Sequence, residues 1–205
     1  MRRLLDLYSC AGGAGYGYHL AGFTVTGVDI RPQPHYPFEF IQADALDVLA
    51  DHAFLAEFDA IHASPTCQNR ARVTAWRGSR DNHPDTLTPT LRLLDTVSIP
   101  WVVENVPEAV PPLRPDYRLC GTQFGLTVKR HRVFQRGNWT AFELMPPCQC
   151  YKNPRVRPFM HKAERAYADA MGCTWMTKEE ARQAVPLAYT EHIGVQLLET
   201  LERAA

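Results

Sequence analysis

The residues best suited to chemistry stand at the ends of apolar runs. In "ASPTCQNR" (63–70) a cysteine and a glutamine sit on a proline-bearing turn directly after "FDAIHAS" (58–64), which reads as a buried strand. Strand ends in open α/β sheets are where ligands bind and reactions occur. Cys67 there is a nucleophile, a metal ligand or an inert small residue. "VVENV" (102–106) places Glu104 and Asn105 at the next strand end. A carboxyl group at such a place can hold or protonate a substrate, or it can simply cap the following segment. The two together, on neighbouring strand ends, favour chemical roles for both.

A second constellation opens the chain. "DLYSCAGGAGYG" (6–17) puts Gly12, Gly13, Gly15 and Gly17 at the turn after a first strand, where missing side chains let backbone N–H groups approach a ligand. "FTVTGVDI" (23–30) ends near Asp29, the place for a carboxylate that takes ribose hydroxyls, and "FEFIQAD" (38–44) ends in Asp44. Three strand ends offering glycines, Asp and Asp favour a nucleoside-containing cofactor. Cys10 stands where the first glycine of a dinucleotide fingerprint would be, which weakens NAD and leaves S-adenosylmethionine as the better candidate.

The remaining thiols raise the question of a metal. Cys148-x-Cys150 could join His161 and Cys173 around zinc, but the one-residue gap is shorter than the usual ligand spacing. The expectation is therefore no metal. Six cysteines without a secretory pattern ("MRRLLDLYS" is too short in its apolar part) read as reduced thiols in a cytoplasmic protein.

Elements must position these groups. Apolar runs at 2–9, 23–30, 38–44, 58–64 and 100–106 alternate with helical spacing at 45–58 and 88–97, and "YRLCG" and "HRVFQR" read as later strands. Such alternation predicts an α/β fold with a mainly parallel sheet and helices on both faces. "KAERAYADAM" (162–171) is helical, Thr177 and Glu180 suit a capping box, and "AYTEHIGVQLLETLERA" closes the chain as an amphipathic helix. With 205 residues, one domain covering 1–205 is expected, 135–185 forming a small proline-rich insertion or reduced recognition region. The chain is 45% hydrophobic and 21% charged with a formal net charge of zero, so no global pull toward nucleic acid exists. No apolar run is long enough to span a membrane, and no membrane partner is expected.

Taken in order, "DLYSCAGGAGYG", Asp29, Asp44, "SPTCQ", "VVENV", "KRHRVF" and "YTEHIGVQLL" resemble the DNA (cytosine-5) methyltransferase family over most of residues 4–134 and about 186–200. The resemblance implies a Rossmann-like S-adenosylmethionine-dependent methyltransferase fold, with DNA as partner and methylation at C5 of a flipped cytosine. Cofactor contacts would fall to Tyr8, Cys10, Gly12, Gly13, Asp29, Ile30, Asp44, Ala45 and Gly194. Catalysis would fall to Cys67, Glu104, Arg130 and Arg132. The substrate would meet Ser64, Pro65, Gln68, Asn105, Arg70 and Arg72. C5 of cytosine is too weak a nucleophile unaided; a thiolate added at C6 makes it an enamine, and a carboxyl at N3 and the exocyclic amine stabilises the developing charge. Arg132 would contact the base O2 and Arg130 would help position the cysteine loop. "MPPCQC" (145–150) matches the family's Pro-Pro-Cys-Gln letters better than "SPTCQ" does, but it follows the arginine strand, so Cys67 is taken as the nucleophile.

The chain departs from the family at Thr66 (usually proline), Cys10 (glycine) and Val128 (glutamine), and most of all in lacking a sizeable recognition domain. DNA binding would then rest on Arg70, Arg72, Arg77 and Arg80, a loop that also holds Trp76, and on Lys152, Arg155, Arg157, Lys162 and Arg165. The same shortage motivates alternatives: a C5 transferase for free pyrimidine nucleotides, one using a modified S-adenosylmethionine, or a non-catalytic DNA-binding subunit.

Overall fold

The computed structural model describes residues 1–67, 84–141, 145–151 and 164–204. Among them seven strands form one sheet: β1 (Arg3–Leu7), β2 (Thr24–Asp29), β3 (Glu39–Gln42), β4 (Ala60–Ala63), β5 (Trp101–Asn105), β6 (Tyr117–Leu119) and β7 (Arg132–Gly137). Their spatial order is β3-β2-β1-β4-β5-β7-β6. The first five run parallel, and β7 lies antiparallel between β5 and β6, with Glu104 opposite Phe134 and Leu119 opposite Arg132.

Every residue of β4 and of β5 is buried, as expected of strands covered on both faces. Side chains alternate between two cores. Leu5, Leu7, Trp101 and Val103 face one layer with α2 (Ala45–Ala50), α3 (His52–Leu55) and α4 (Leu87–Leu94). Leu4 and Val102 face the other, built on α1 (Gly13–Leu20) and the last helix, α7 (Leu187–Arg203). Helices thus cover both faces, and the parallel alternation expected from the sequence is present.

Residues 45–58 do not form the single helix that their apolar spacing suggests. Asp51 leaves helical geometry and its Oδ1 accepts from Ala53 N and Phe54 N, so it ends α2 and caps α3. The expected capping box does form: Thr177 and Glu180 open α6 (Lys178–Gln183), which follows α5 (Glu164–Ala170).

Described parts of the 135–185 segment pack against the rest of the chain. Residues 135–137 complete β7, and Trp139 donates to Trp101 O. Beyond them, Tyr167, Met171, Met176 and Ala181 pack against Ala11 and Val128, laying α5 and α6 over the glycine turn. Among the described residues no helix is long and apolar enough to cross a membrane.

The strand order reverses between β1 and β4, which are neighbours although β2 and β3 intervene in sequence. A crevice opens beyond the strand ends at such a reversal. The turn after β1 and the Cys67 turn after β4 flank it.

Candidate active site

The turn carrying Cys67 is fixed from two sides. Asn105 Nδ2, at the end of β5, donates to Pro65 O at 2.9 Å, while Asn105 Oδ1 accepts from Val106 N. Thr66 N donates to Thr86 Oγ1 at 2.9 Å. Asn105, expected to bind substrate, is buried here and its amide holds the turn. Cys67 is left partly exposed beyond the C-terminal end of the central strand β4. Burial pushes its thiol above the ordinary range, Arg132 and Arg130 pull it down, and Glu104 pushes it up. The four sequence-predicted catalytic residues therefore act on one another across a small space.

Glu104 is buried, and Arg132 Nε approaches its Oε1 to 2.7 Å. The contact is close enough for an ion pair, and Arg132 holds the carboxyl down through charge and hydrogen bonding. The N–H is nevertheless poorly aligned on Oε1, which has no other donor among the described residues. Burial raises the Glu104 carboxyl above the usual range, opposed by the charges of Arg132 and Arg130 and by the Ser64 hydroxyl. A buried acceptor whose only donor is poorly aligned is incompletely satisfied. It suits a ligand that brings its own N–H. Arg130 is turned the other way: Nε donates to Ala184 O at 2.8 Å and Nη2 to Arg182 O at 2.7 Å, tying β7 to the segment before α7.

Sequence reasoning missed the buried row behind this pair. Tyr18 OH lies 3.1 Å from His62 Nδ1, and His62 Nε2 lies 2.9 Å from Ser64 Oγ. Burial holds the His62 pKa down to about 3, so the imidazole is neutral and can accept at one nitrogen while donating at the other. A polar residue inside the all-buried "AIHA" was the available signal.

The turn after β1 has three residues with positive φ, Tyr8, Cys10 and Gly12. At Gly12 a side chain would also strike Pro37 and Tyr36. Cys10 N and Arg31 N each donate at 3.0 Å to one oxygen of Asp29, so this carboxylate shapes the turn as well as facing the crevice edge. Ile30 beside it is 63% exposed, an unusual place for a large apolar side chain. Tyr8 OH bonds Thr90 Oγ1 at 2.7 Å. These residues fit a nucleoside-bearing cofactor, with a carboxylate and an open apolar surface side by side.

Other residues expected at the cofactor also make structural contacts. Asp44 Oδ1 caps α2 by accepting from Leu46 N at 2.8 Å, and Ala45 is buried in the core. Gly194 lies where α7 crosses α1, the space of its missing side chain taken by Ala21 and Tyr18; it serves helix packing. Gly13 likewise meets Val185 and Ala184. Gln68, Arg70, Arg72, Trp76, Arg77, Arg80, Lys152, Arg155, Arg157 and Lys162 lie outside the described residues.

The thiols group differently from the set considered in the sequence. Cys173 is fully buried in the core with Tyr167 and Met171, and His161 lies outside the described residues. Cys148 and Cys150 meet Cys120 and His131 instead.

No protein-family model matches the chain, and neither does any curated protein. Solved structures do. One is described as a DNA modification methyltransferase encoded within an E. coli prophage (20% identity, TM-score 0.50, 65% of this chain and 45% of that one). Another is a DNMT2 variant from Spodoptera frugiperda (20%, 0.50, 65% and 49%). A third is the methyltransferase EhMeth of Entamoeba histolytica (17%, 0.51, 70% and 55%). The chain spans about half the length of these structures. At such identity the likeness establishes the fold: a Rossmann-like methyltransferase fold, as the sequence resemblance implied.

Proposed function

We propose that the chain transfers a methyl group from S-adenosylmethionine to C5 of a cytosine in DNA, through a bond between Cys67 Sγ and C6 of an extruded base. The observation that carries this reading is the Cys67 thiol in the field of Glu104, whose buried Oε1 is ion-paired to Arg132 and accepts no well-aligned hydrogen bond from any described residue. The exocyclic amine of cytosine would supply a well-aligned donor.

Each residue then has a task. Cys67 must ionise to attack, and the positive charges of Arg132 and Arg130 favour the thiolate. Its addition to C6 pushes an electron pair into the ring. Glu104, whose carboxyl is raised by burial, stays protonated more readily than a surface glutamate and donates at N3 as that charge develops. Arg132 stays beside Glu104 and is available to the base O2, while Asn105 keeps the Cys67 turn in place. S-adenosylmethionine, held when bound by the glycine turn, Asp29, Ile30 and the Asp44 strand end, supplies an electrophilic methyl group. Loss of the C5 proton and expulsion of the Cys67 thiolate then restore the aromatic ring. Base extrusion is required because neither face of C6 is accessible within a duplex.

The reading is tested by incubating the protein and S-adenosylmethionine with DNA containing 5-fluorocytosine, which cannot lose a C5 proton. A stable adduct that maps to the Cys67 peptide, and is absent from Cys67→Ser, is expected. An adduct on the Cys148 peptide would overturn the assignment of the nucleophile. Methyl transfer to duplex, single strand and cytosine mononucleotide measured together decides the substrate; turnover of the mononucleotide alone would end the DNA reading.

A further inference from the structure

Cys120, His131, Cys148 and Cys150 bring one ligand atom each to within 4.8 Å of one another. They come from three separate pieces of chain. Cys120 immediately follows β6 and caps a short 3-10 turn (Gly121–Phe124), His131 immediately precedes β7, and the other two lie on the irregular segment 145–151. We propose that these four residues bind one zinc ion, through three thiolates and the His131 Nε2, and that the ion is structural.

The distances suit a metal. A tetrahedral zinc with bonds of about 2.3 Å to sulfur and about 2.0 Å to nitrogen spaces its ligands about 3.5 Å apart for S···N and about 3.8 Å for S···S. His131 Nε2 lies 3.4 Å from Cys148 Sγ and 3.6 Å from Cys150 Sγ. Both sit on the expected edge length. All three cysteines are free thiols, and a disulfide would engage two of them and leave the third and the imidazole without a purpose. Three thiolates and an imidazole are a donor set preferred by zinc over magnesium or calcium. Four protein ligands fill a tetrahedron and leave no open position, which separates a structural from a catalytic ion.

The surroundings are built to match. Thr122 Oγ1 lies 3.6 Å from Cys120 Sγ and from Cys148 Sγ, where a hydroxyl can donate to thiolate sulfur. The same oxygen accepts from Gln149 N, and Gln123 Nε2 donates to Pro146 O at 2.9 Å, so the 3-10 turn holds the cysteine segment on two sides. Lys129 Nζ sits 3.9 Å over the Tyr151 ring and closes the outer edge. Segment 145–151 has no helix or strand of its own, and a metal explains why it is held at this place. The spacing of Cys148 and Cys150 is unusual for zinc, but Cys120 and His131, just beyond the paired ends of β6 and β7, supply the rest of the tetrahedron.

The ion would steady more than this segment. His131 stands between Arg130 and Arg132, the arginines that bear on Cys67 and Glu104, so zinc would anchor the point from which both side chains leave the backbone.

The test is metal analysis of the full chain purified with reductant and without added metal. About one zinc per chain is expected, falling below about a tenth in Cys150→Ser and unchanged in Cys173→Ala, whose thiol lies outside the cluster. Should Cys150→Ser not fold, cobalt(II) exchanged into the wild-type chain gives an independent readout: thiolate-to-cobalt charge-transfer bands and the strong visible bands of a tetrahedral ion. Zinc-free wild-type protein that takes up no cobalt with these bands overturns the proposal. So does zinc that survives Cys150→Ser and is lost in Cys173→Ala.

Discussion

Cys67 sits in a field of mixed sign, and the direction of each contribution makes it testable without turnover. Burial raises its pKa, Arg132 and Arg130 lower it, and Glu104 raises it. Below its pKa the thiolate fraction grows about tenfold per pH unit, so alkylation of Cys67 by iodoacetamide should steepen accordingly through neutral pH. Arg132→Gln removes a lowering charge and should move the curve to higher pH. Glu104→Gln removes a raising one and should move it lower. Peptide-resolved alkylation rates check both, and a curve that neither variant moves would remove Arg132 and Glu104 from the thiol's surroundings. At this scale the placement of Cys67 and Glu104 was legible because one lies on the turn after a buried strand and the other near the end of the next one. The use of Asn105 was not, since its partner Pro65 is 40 positions away and only the folded sheet brings them together.

Strand β1 carries a second group whose ionisation matters, this time for stability. Asp6 is fully buried, its Oδ2 accepts from Tyr36 OH at 3.2 Å, and Oδ1 accepts from no described residue. Burial lifts its pKa from 3.8 to about 7, with Asp29 adding to the rise and hydrogen bonds from Tyr36 and Gly15 opposing it. A carboxyl raised on folding favours the folded state while protonated, so its contribution is complete below pH 4 and is lost as pH rises through about 7. Denaturant titrations should show unfolding free energy falling by on the order of 4 kcal/mol between pH 4 and 8 from this group. Asp6→Asn should flatten that slope; an unchanged slope would show that Asp6 ionises in the fold at no cost. The strands themselves were readable from alternation and from continuous apolar runs. The break at Asp51 was not, because the apolar spacing of 45–58 continues across it while one carboxylate redirects the backbone. Cys120 and His131 likewise meet Cys148 only once β6 pairs with β7.

Over the whole molecule charge is balanced, at 22 basic and 22 acidic side chains. Under the proposed function, affinity for DNA would therefore come from local groups. Under the same reading α5 and α6 are committed to packing over the glycine turn, and sequence preference should be short. Binding to duplex should fall with salt by about 0.9 log units per log unit for each phosphate neutralised. Replacing Arg155 and Arg157 together by glutamine should weaken binding to all sequences alike and reduce that slope by up to about two phosphates' worth. Fluorescence anisotropy across a salt series measures it, and a slope that keeps its wild-type value would remove both arginines from the interface.

The run Arg130-His131-Arg132 sends consecutive side chains to three destinations: the carbonyls before α7, the thiols of 120–150, and Glu104. Reading frame along this strand is consequently as constrained as any side chain on it. One residue inserted after Lys129 would deliver an arginine to the thiols and the imidazole to the carboxylate, with every residue type still present. Conservative exchanges here trim single contacts, whereas a one-codon insertion or deletion scrambles all three together. A scan of single-residue indels from Val128 to Val133 should therefore show a far sharper intolerance than a substitution scan over the same span.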